Sequence, residues 1–163
     1  MHHGVSISKV EEYIMAIGEI CSREVVIAER SASTWEIAEL MRRHHVGDVV
    51  IVETTAGGRR PIGIVTDRDI VLEVVAPGLS ADTLTAGDLI DEEVCVVTES
   101  EGVFETLRYM RGRGVRRMPV VDVQGHLLGI VTVDDLMELL AEEMSEMARL
   151  IAVERRHERE RRQ

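Results

Sequence analysis

The sequence predicts a mixed α/β (α+β) fold built from two similar units that share one core, and three observations support that expectation. The string Gly63-Ile64-Val65-Thr66-Asp67-Arg68-Asp69 returns 66 positions later as Gly129-Ile130-Val131-Thr132-Val133-Asp134-Asp135. Short β-branched runs and stretches at helical spacing follow the order strand, helix, strand, strand, helix, and that order occurs twice. The only Trp, Trp35, falls on the only Phe, Phe104. A unit of this length cannot cover its own apolar face, so the copies are expected to close on one another and to carry any ligand cleft in two related versions.

Each copy opens on a helical turn, Ile17-Gly18-Glu19-Ile20 in the first and Ala86-Gly87-Asp88-Leu89 in the second. Val25-Val26-Ile27-Ala28 and Val94-Cys95-Val96-Val97 follow as short strands, continuous in apolar residues and so buried on both faces. Ser33 and Glu36 then form a capping box ahead of a helix whose expected core stripe is Trp35, Ala38, Leu40 and Met41; its counterpart is Phe104, Leu107 and Met110. Val49-Val50-Ile51-Val52 and Met118-Pro119-Val120-Val121 turn back into Ile62-Gly63-Ile64-Val65 and Leu128-Gly129-Ile130-Val131. The register offset is 69 up to Val52/Val121 and 66 from Gly63/Gly129, which places three extra residues in the first turn, within the polar, glycine-rich Thr54 to Arg60. Closing helices are expected from about Asp67 to Ala76 and from about Asp134 to beyond Leu140.

The resulting organisation is an irregular lead-in over 1–16, a first repeat over 17–77, a turn-rich linker over 78–84, a second repeat over 85–141 and a charged helical tail over 142–163. The tail stripe Leu139, Leu140, Met144, Met147, Leu150 and Ile151 suits either a docking face or packing on the chain's own body.

A net charge of −11 argues against nonspecific nucleic-acid binding, so an anionic ligand needs a local Arg cluster. Of 19 basic residues all but Lys9 are Arg, a bias assigned to composition rather than to phosphate chemistry. Cys21 and Cys95 stand at non-equivalent positions and read as reduced structural thiols. With no apolar run near the roughly 20 residues of a membrane span and no secretion-signal layout, a cytoplasmic protein is expected. No nucleophile with a marked His partner, no metal-ligand spacing and no Walker loop appears, which favours a binding module over an enzyme. Asp67, Asp69, Asp134 and Asp135 read as helix-start acids before they read as Mg²⁺ ligands.

The paired Gly-Ile-Val-Thr-x-x-Asp strings, together with the strand Met118-Pro119-Val120-Val121-Asp122, resemble a tandem CBS-domain pair, or Bateman module, over residues 17 to about 140. The resemblance implies interlocked units, each a small sheet with two helices, enclosing two clefts about a pseudo-twofold axis. It further implies binding of adenosine nucleotides and assembly into homodimeric discs. It gives Asp69 and Asp135 the ribose hydroxyls and puts Thr66 and Thr132 near the phosphates. A carboxylate can accept both hydroxyls of a ribose, while a hydroxyl and free amides at a helix start suit phosphate. The implied main cleft holds Arg116, Arg117, Thr132, Asp134 and Asp135, closed by Ser31 of the other copy; each charge-assisted bond there is worth about 1.5 to 3 kcal/mol. The implied weaker cleft holds Thr66, Arg68, Asp69 and Gly47, closed by Ser100, with Asp48 standing where the second copy has Arg117. Arg68, or His44 and His45, are the residues that could offset Asp48 in the weaker cleft, with the two His read first as favourable charges at a helix C-terminus. One alternative stays open for both copies, because Thr-x-x-Asp is also close to a capping box.

The functional expectation is a stand-alone regulatory sensor for an AMP-, ADP- or ATP-like nucleotide, or S-adenosylmethionine or NADH, with no required cofactor. Its expected partners are a second copy and an unidentified regulated protein, with no membrane and no nucleic acid. The alternative is a ligand-independent dimerisation scaffold with vestigial clefts.

Overall fold

The computed structural model describes residues 15–90 and 93–161. The expected lead-in over 1–16 lies, up to residue 14, outside the described residues. The first repeat contributes α1 (Ile17–Ile20), β1 (Ile27–Glu29), α2 (Thr34–His44), β2 (Asp48–Thr55), β3 (Gly58–Thr66) and α3 (Asp67–Ile70), which runs on as a π-helical stretch over Val71–Val75. The second repeats the order with α4 (Ala86–Leu89), β4 (Val97–Thr98), α5 (Val103–Arg113), β5 (Arg117–Val121), β6 (Leu127–Thr132) and α6 (Val133–Arg161).

Each repeat holds one three-stranded sheet, β1-β2-β3 and β4-β5-β6, in which the first pair is parallel and the second antiparallel. A β-bulge falls at Ile51/Val52 and again at the equivalent Val120/Val121, so the duplication extends to a local irregularity. The edge strands are shorter and later than expected, three residues from Ile27 and two from Val97. Ahead of β1, Val26 O still accepts from Val50 N at 2.9 Å.

The three extra residues of the first repeat lengthen the hairpin rather than its loop. β2 and β3 pair out to Thr55 and Gly58, leaving Ala56-Gly57 as the turn. In the second hairpin Asp122 builds the turn, its Oδ1 accepting from Gln124 N (2.9 Å) and His126 N (2.8 Å). The two tips meet, because a Cβ added at Gly57 would fall 2.8 Å from His126 Nε2.

The long helices correct the expected stripe. α2 buries Thr34, Ile37 and Met41, and α5 buries the equivalent Val103, Thr106 and Met110, at spacings of three and four. Trp35 and Phe104 follow the first of these by one residue, a rotation of about 100° that turns them outward. They are 54% and 60% exposed. Ser33 and Glu36 do form the capping box.

The opening helices are exchanged between repeats. Ile17 and Cys21 are buried in the core of the second repeat with Met110, Met118, Val120 and Leu136. Ala86 is buried in that of the first with Ile37, Val49, Ile51 and Val65. Backbone bonds tie each helix to its host, among them Ile17 N to Glu101 O (2.7 Å) and Ala86 N to Ala32 O (2.8 Å). A third cluster of Val50, Val52 and Ile130, flanked by Ile27, Ile64 and Leu127, joins the sheets themselves. The two halves therefore share their cores, as a repeat too small to bury its own face requires.

Leu136 is fully buried and Leu139 packs on the second core, whereas Met144, Met147, Leu150 and Ile151 of the tail stripe are exposed. Among the described residues no helix is long and apolar enough to cross a membrane.

Candidate functional site

Both Gly-Ile-Val-Thr-x-x-Asp strings end a strand and start a helix, and in both the acid folds back on the threonine. Asp69 Oδ2 accepts from Thr66 N (2.8 Å) and Thr66 Oγ1 (2.7 Å), while Asp69 N donates to Thr66 Oγ1 (3.2 Å). Asp135 and Thr132 repeat this at 2.8, 2.8 and 3.1 Å. Thr85 with Asp88 makes the same box ahead of α4, so the motif caps helices in its own right. Each threonine proton is thereby committed to a carboxylate and is withdrawn from a phosphate. One oxygen of Asp69 and one of Asp135, Oδ1, has no protein donor among the described residues, and each is a free acceptor for a hydroxyl pair.

The turns ahead of these motifs are held alike, by Asp67 N to Gly47 O (3.0 Å) and Val133 N to Arg116 O (2.8 Å). Their side chains differ. Arg116 reaches Asp134 at 3.4 Å on open surface, where such a pair is worth little. Arg117, at the start of β5, crosses to the first repeat and pairs with Asp48 at the start of β2. The two residues are 69 apart, the repeat offset itself, so they are equivalent positions meeting across the pseudo-twofold axis. Opposite charges at such positions attract where like charges would repel.

Arg117 thus lines the cavity that holds Asp69, not one with Asp135. That cavity, about 480 Å³, is walled by Gly63, Ile64 and Asp69 of the first repeat and by Leu89, Ile90, Glu93, Val94, Cys95, Val115 and Arg117 of the second. Its mix of aliphatic wall and a few charged groups is that of a small-molecule site, and its volume lies within the roughly 300 to 1,000 Å³ such sites span. On the Asp135 side the segment after α1 lies against the equivalent strand. Ser22 and Ile130 exchange both backbone bonds at 2.9 Å, and Arg23 Nη1 donates to Leu128 O at 3.3 Å. Gly129 is required there, since a Cβ would sit 2.6 Å from Ser22 O. Burial pushes the neighbouring Cys21 thiol above its ordinary range, with Asp135 adding to the effect and Arg23 opposing it.

The remaining expected residues lie apart. Ser31 lines a different cavity, over α2 with Trp35, Glu39 and Arg43. Ser100 is exposed, 3.5 Å from Thr98 Oγ1. Arg68 is exposed on α3. Gly47 approaches Asp67, whose Oδ2 would lie 3.5 Å from an added Cβ. His44 closes the last turn of α2 and His45 caps it in the left-handed region. Sequence reasoning missed Asp48 as the partner of Arg117, and missed Glu93, Val94 and Cys95 as cavity wall. The opposite charges at equivalent positions were the available signal for the first. Among the described residues no group of three or more His, Cys, Asp or Glu side chains is arranged to hold a metal ion.

A family model of the CBS domain matches residues 17–76 and again 86–142. The chain belongs to the CBS-domain family. Its two domains form a tandem pair, a Bateman module. An uncharacterized protein of Methanopyrus kandleri is 38% identical over 125 residues, which cover 77% of this chain and 62% of that protein. The chain therefore spans less than two thirds of that relative's length. Among solved structures, a CBS domain pair in complex with 5′-methylthioadenosine and S-adenosyl-L-methionine superposes with a TM-score of 0.68 at 25% identity, covering 80% of this chain and 98% of that one. A CBS domain protein from Pyrobaculum aerophilum complexed with AMP superposes with a TM-score of 0.65 at 27% identity, covering 74% and 88%.

Proposed function

We propose that this CBS pair is a regulatory sensor that binds an adenosine nucleotide between its repeats, mainly in the Asp69 cavity. The observation that supports the reading is the convergence, in one cavity, of a carboxylate oxygen with no donor among the described residues, a guanidinium, and an aliphatic wall. In this reading Asp69 accepts the ribose hydroxyls, Ile64, Val94 and Val115 cover the base, and Arg117 faces the 5′ group. The Asp135 side, where Ser22 is bridged to Ile130, is the second candidate site in this reading. Neighbouring CBS structures that hold AMP or S-adenosylmethionine give the ligand class to try first.

Occupancy signals by changing how the pair packs on a second copy or on a regulated protein, since a ligand shifts only states it binds unequally. The exposed Trp35, Phe104 and Tyr109 on α2 and α5 and the bare stripe of α6 suit those contacts, and the reading includes a homodimer in the cytoplasm. Thermal melting with AMP, ADP, ATP, S-adenosylmethionine and NADH tests it. A ligand at 100 times its Kd adds about 2.7 kcal/mol to stability. The shift is expected to vanish in Asp69→Ala, and absence of any shift in the unmodified protein overturns the reading. Light scattering with and without that ligand follows the assembly. Ligand-insensitive dimers would favour the scaffold alternative.

A further inference from the structure

Resting on the nucleotide-binding reading just given, we infer that Asp48 is a specificity-determining residue: it neutralises Arg117 from within the protein and limits how much negative charge the 5′ end of the ligand can carry. Asp48 and Arg117 pair across the pseudo-twofold axis, both partly buried, at 20% and 30% side-chain exposure. The guanidinium that faces the Asp69 cavity is thus already partnered before any ligand arrives. A second anion must either share Arg117 with Asp48 or displace Asp48 from it.

The other charged groups around the cavity do not relieve this. Asp69 and Glu93 line it, and Asp67 approaches the preceding turn at Gly47. Among the described lining residues Arg117 is the single cation, while Arg116 is turned to Asp134 and Arg68 is exposed on α3. A nucleoside whose 5′ group is neutral, cationic or singly phosphorylated meets little repulsion in such a field. A triphosphate brings several charges toward Asp48, Asp69 and Glu93, and among the described lining residues no guanidinium besides the partnered Arg117 receives them. The duplication makes the arrangement directional, because Asp48 occupies in the first repeat the place that Arg117 occupies in the second.

Calorimetric titration of the full chain with 5′-methylthioadenosine, AMP and ATP, compared with Asp48→Asn, tests the inference. The unmodified protein is expected to bind methylthioadenosine and AMP more tightly than ATP. Asp48→Asn is expected to leave methylthioadenosine within about twofold and to tighten AMP and, more strongly, ATP, by about tenfold or more for ATP, as removal of one nearby charge implies. In Arg117→Ala the same Asp48→Asn change is expected to give a smaller gain for ATP, because the repulsion from Asp48 is then removed but no guanidinium is released. Asp48→Ser serves as a second variant if the amide melts early, and the ligand ranking is a readout that mere loss of a structural pair would not move. Equal shifts for all three ligands, or a ranking unchanged in both Asp48 variants, overturn the inference while the nucleotide reading stands. Failure of all three ligands to bind any of these proteins overturns both.

Discussion

Asp69 and Asp135 show how one residue type can serve two ends. Each spends one oxygen on its own helix cap and has no donor to the other among the described residues, so the capping and ligand readings of Thr-x-x-Asp are compatible. Their neighbour Asp48 carries information of a different kind, because its value depends on a residue 69 positions away. At another equivalent pair, His45 caps α2 with φ of 55°, while its counterpart Gly114 caps α5 with φ of 67°. A side chain in that region costs about 1 kcal/mol or more. His45→Gly is expected to raise stability by about 0.5 to 1 kcal/mol, read as an increased urea midpoint at unchanged slope. Gly18→Ala is expected to do the opposite, by about 1 to 3 kcal/mol, because its Cβ would meet the Glu99 carbonyl oxygen at 2.9 Å.

Three carboxylates tie acid stability to local turns. Backbone bonds from Ser33, Thr85 and His126 hold Glu36, Asp88 and Asp122 below their usual ranges. A folded-state value below the unfolded one means stabilisation that is present above pH about 4 and lost as pH falls through the depressed values. The loss is expected to be smaller in a Glu36→Gln, Asp88→Asn, Asp122→Asn triple variant, measured as melting temperature between pH 5 and 2.5. Cys21 runs the other way. Its raised value lets the unfolded thiol ionise first, so its contribution fades as pH climbs above about 9.

Among the elements, the exchanged opening helices hold the fold together more than their four residues suggest. Ile17 is fully buried, but in the core of the other repeat. Ile17→Ala is expected to cost about 2 to 5 kcal/mol, read as a lowered urea midpoint, although the residue lies outside the repeat whose core it fills. The order of elements, both hairpins and the α2 capping box were legible in the sequence, because local chemistry decides them. The aromatic stripe was misread, since Trp35 and Phe104 suggest a core by size alone and only the burial phase of α2 and α5 shows them one step off it.

For the molecule as a whole, shared cores make the pair one cooperative unit. A fragment of residues 15–80 retains β1, β2 and β3 but loses Ala86, Leu89 and Ile90 from its core. It is expected to be unfolded by circular dichroism, whereas residues 15–142 should melt in a single transition. Removing 143–163 is expected to change that transition little, since the described side chains of the stretch are exposed.

The sequence by itself determined that the chain is a doubled unit, what order its elements take, and which strand ends carry threonine and aspartate. These follow from periodicity, capping and turn chemistry, all of which act over a few residues. Only the tertiary structure decided that α1 and α4 change places, that Arg117 turns to Asp48, and that the guanidinium consequently faces Asp69 instead of Asp135. Those outcomes depend on where the pseudo-twofold axis passes between the sheets, and its position is set by burial of apolar area across both halves at once rather than by any stretch of sequence.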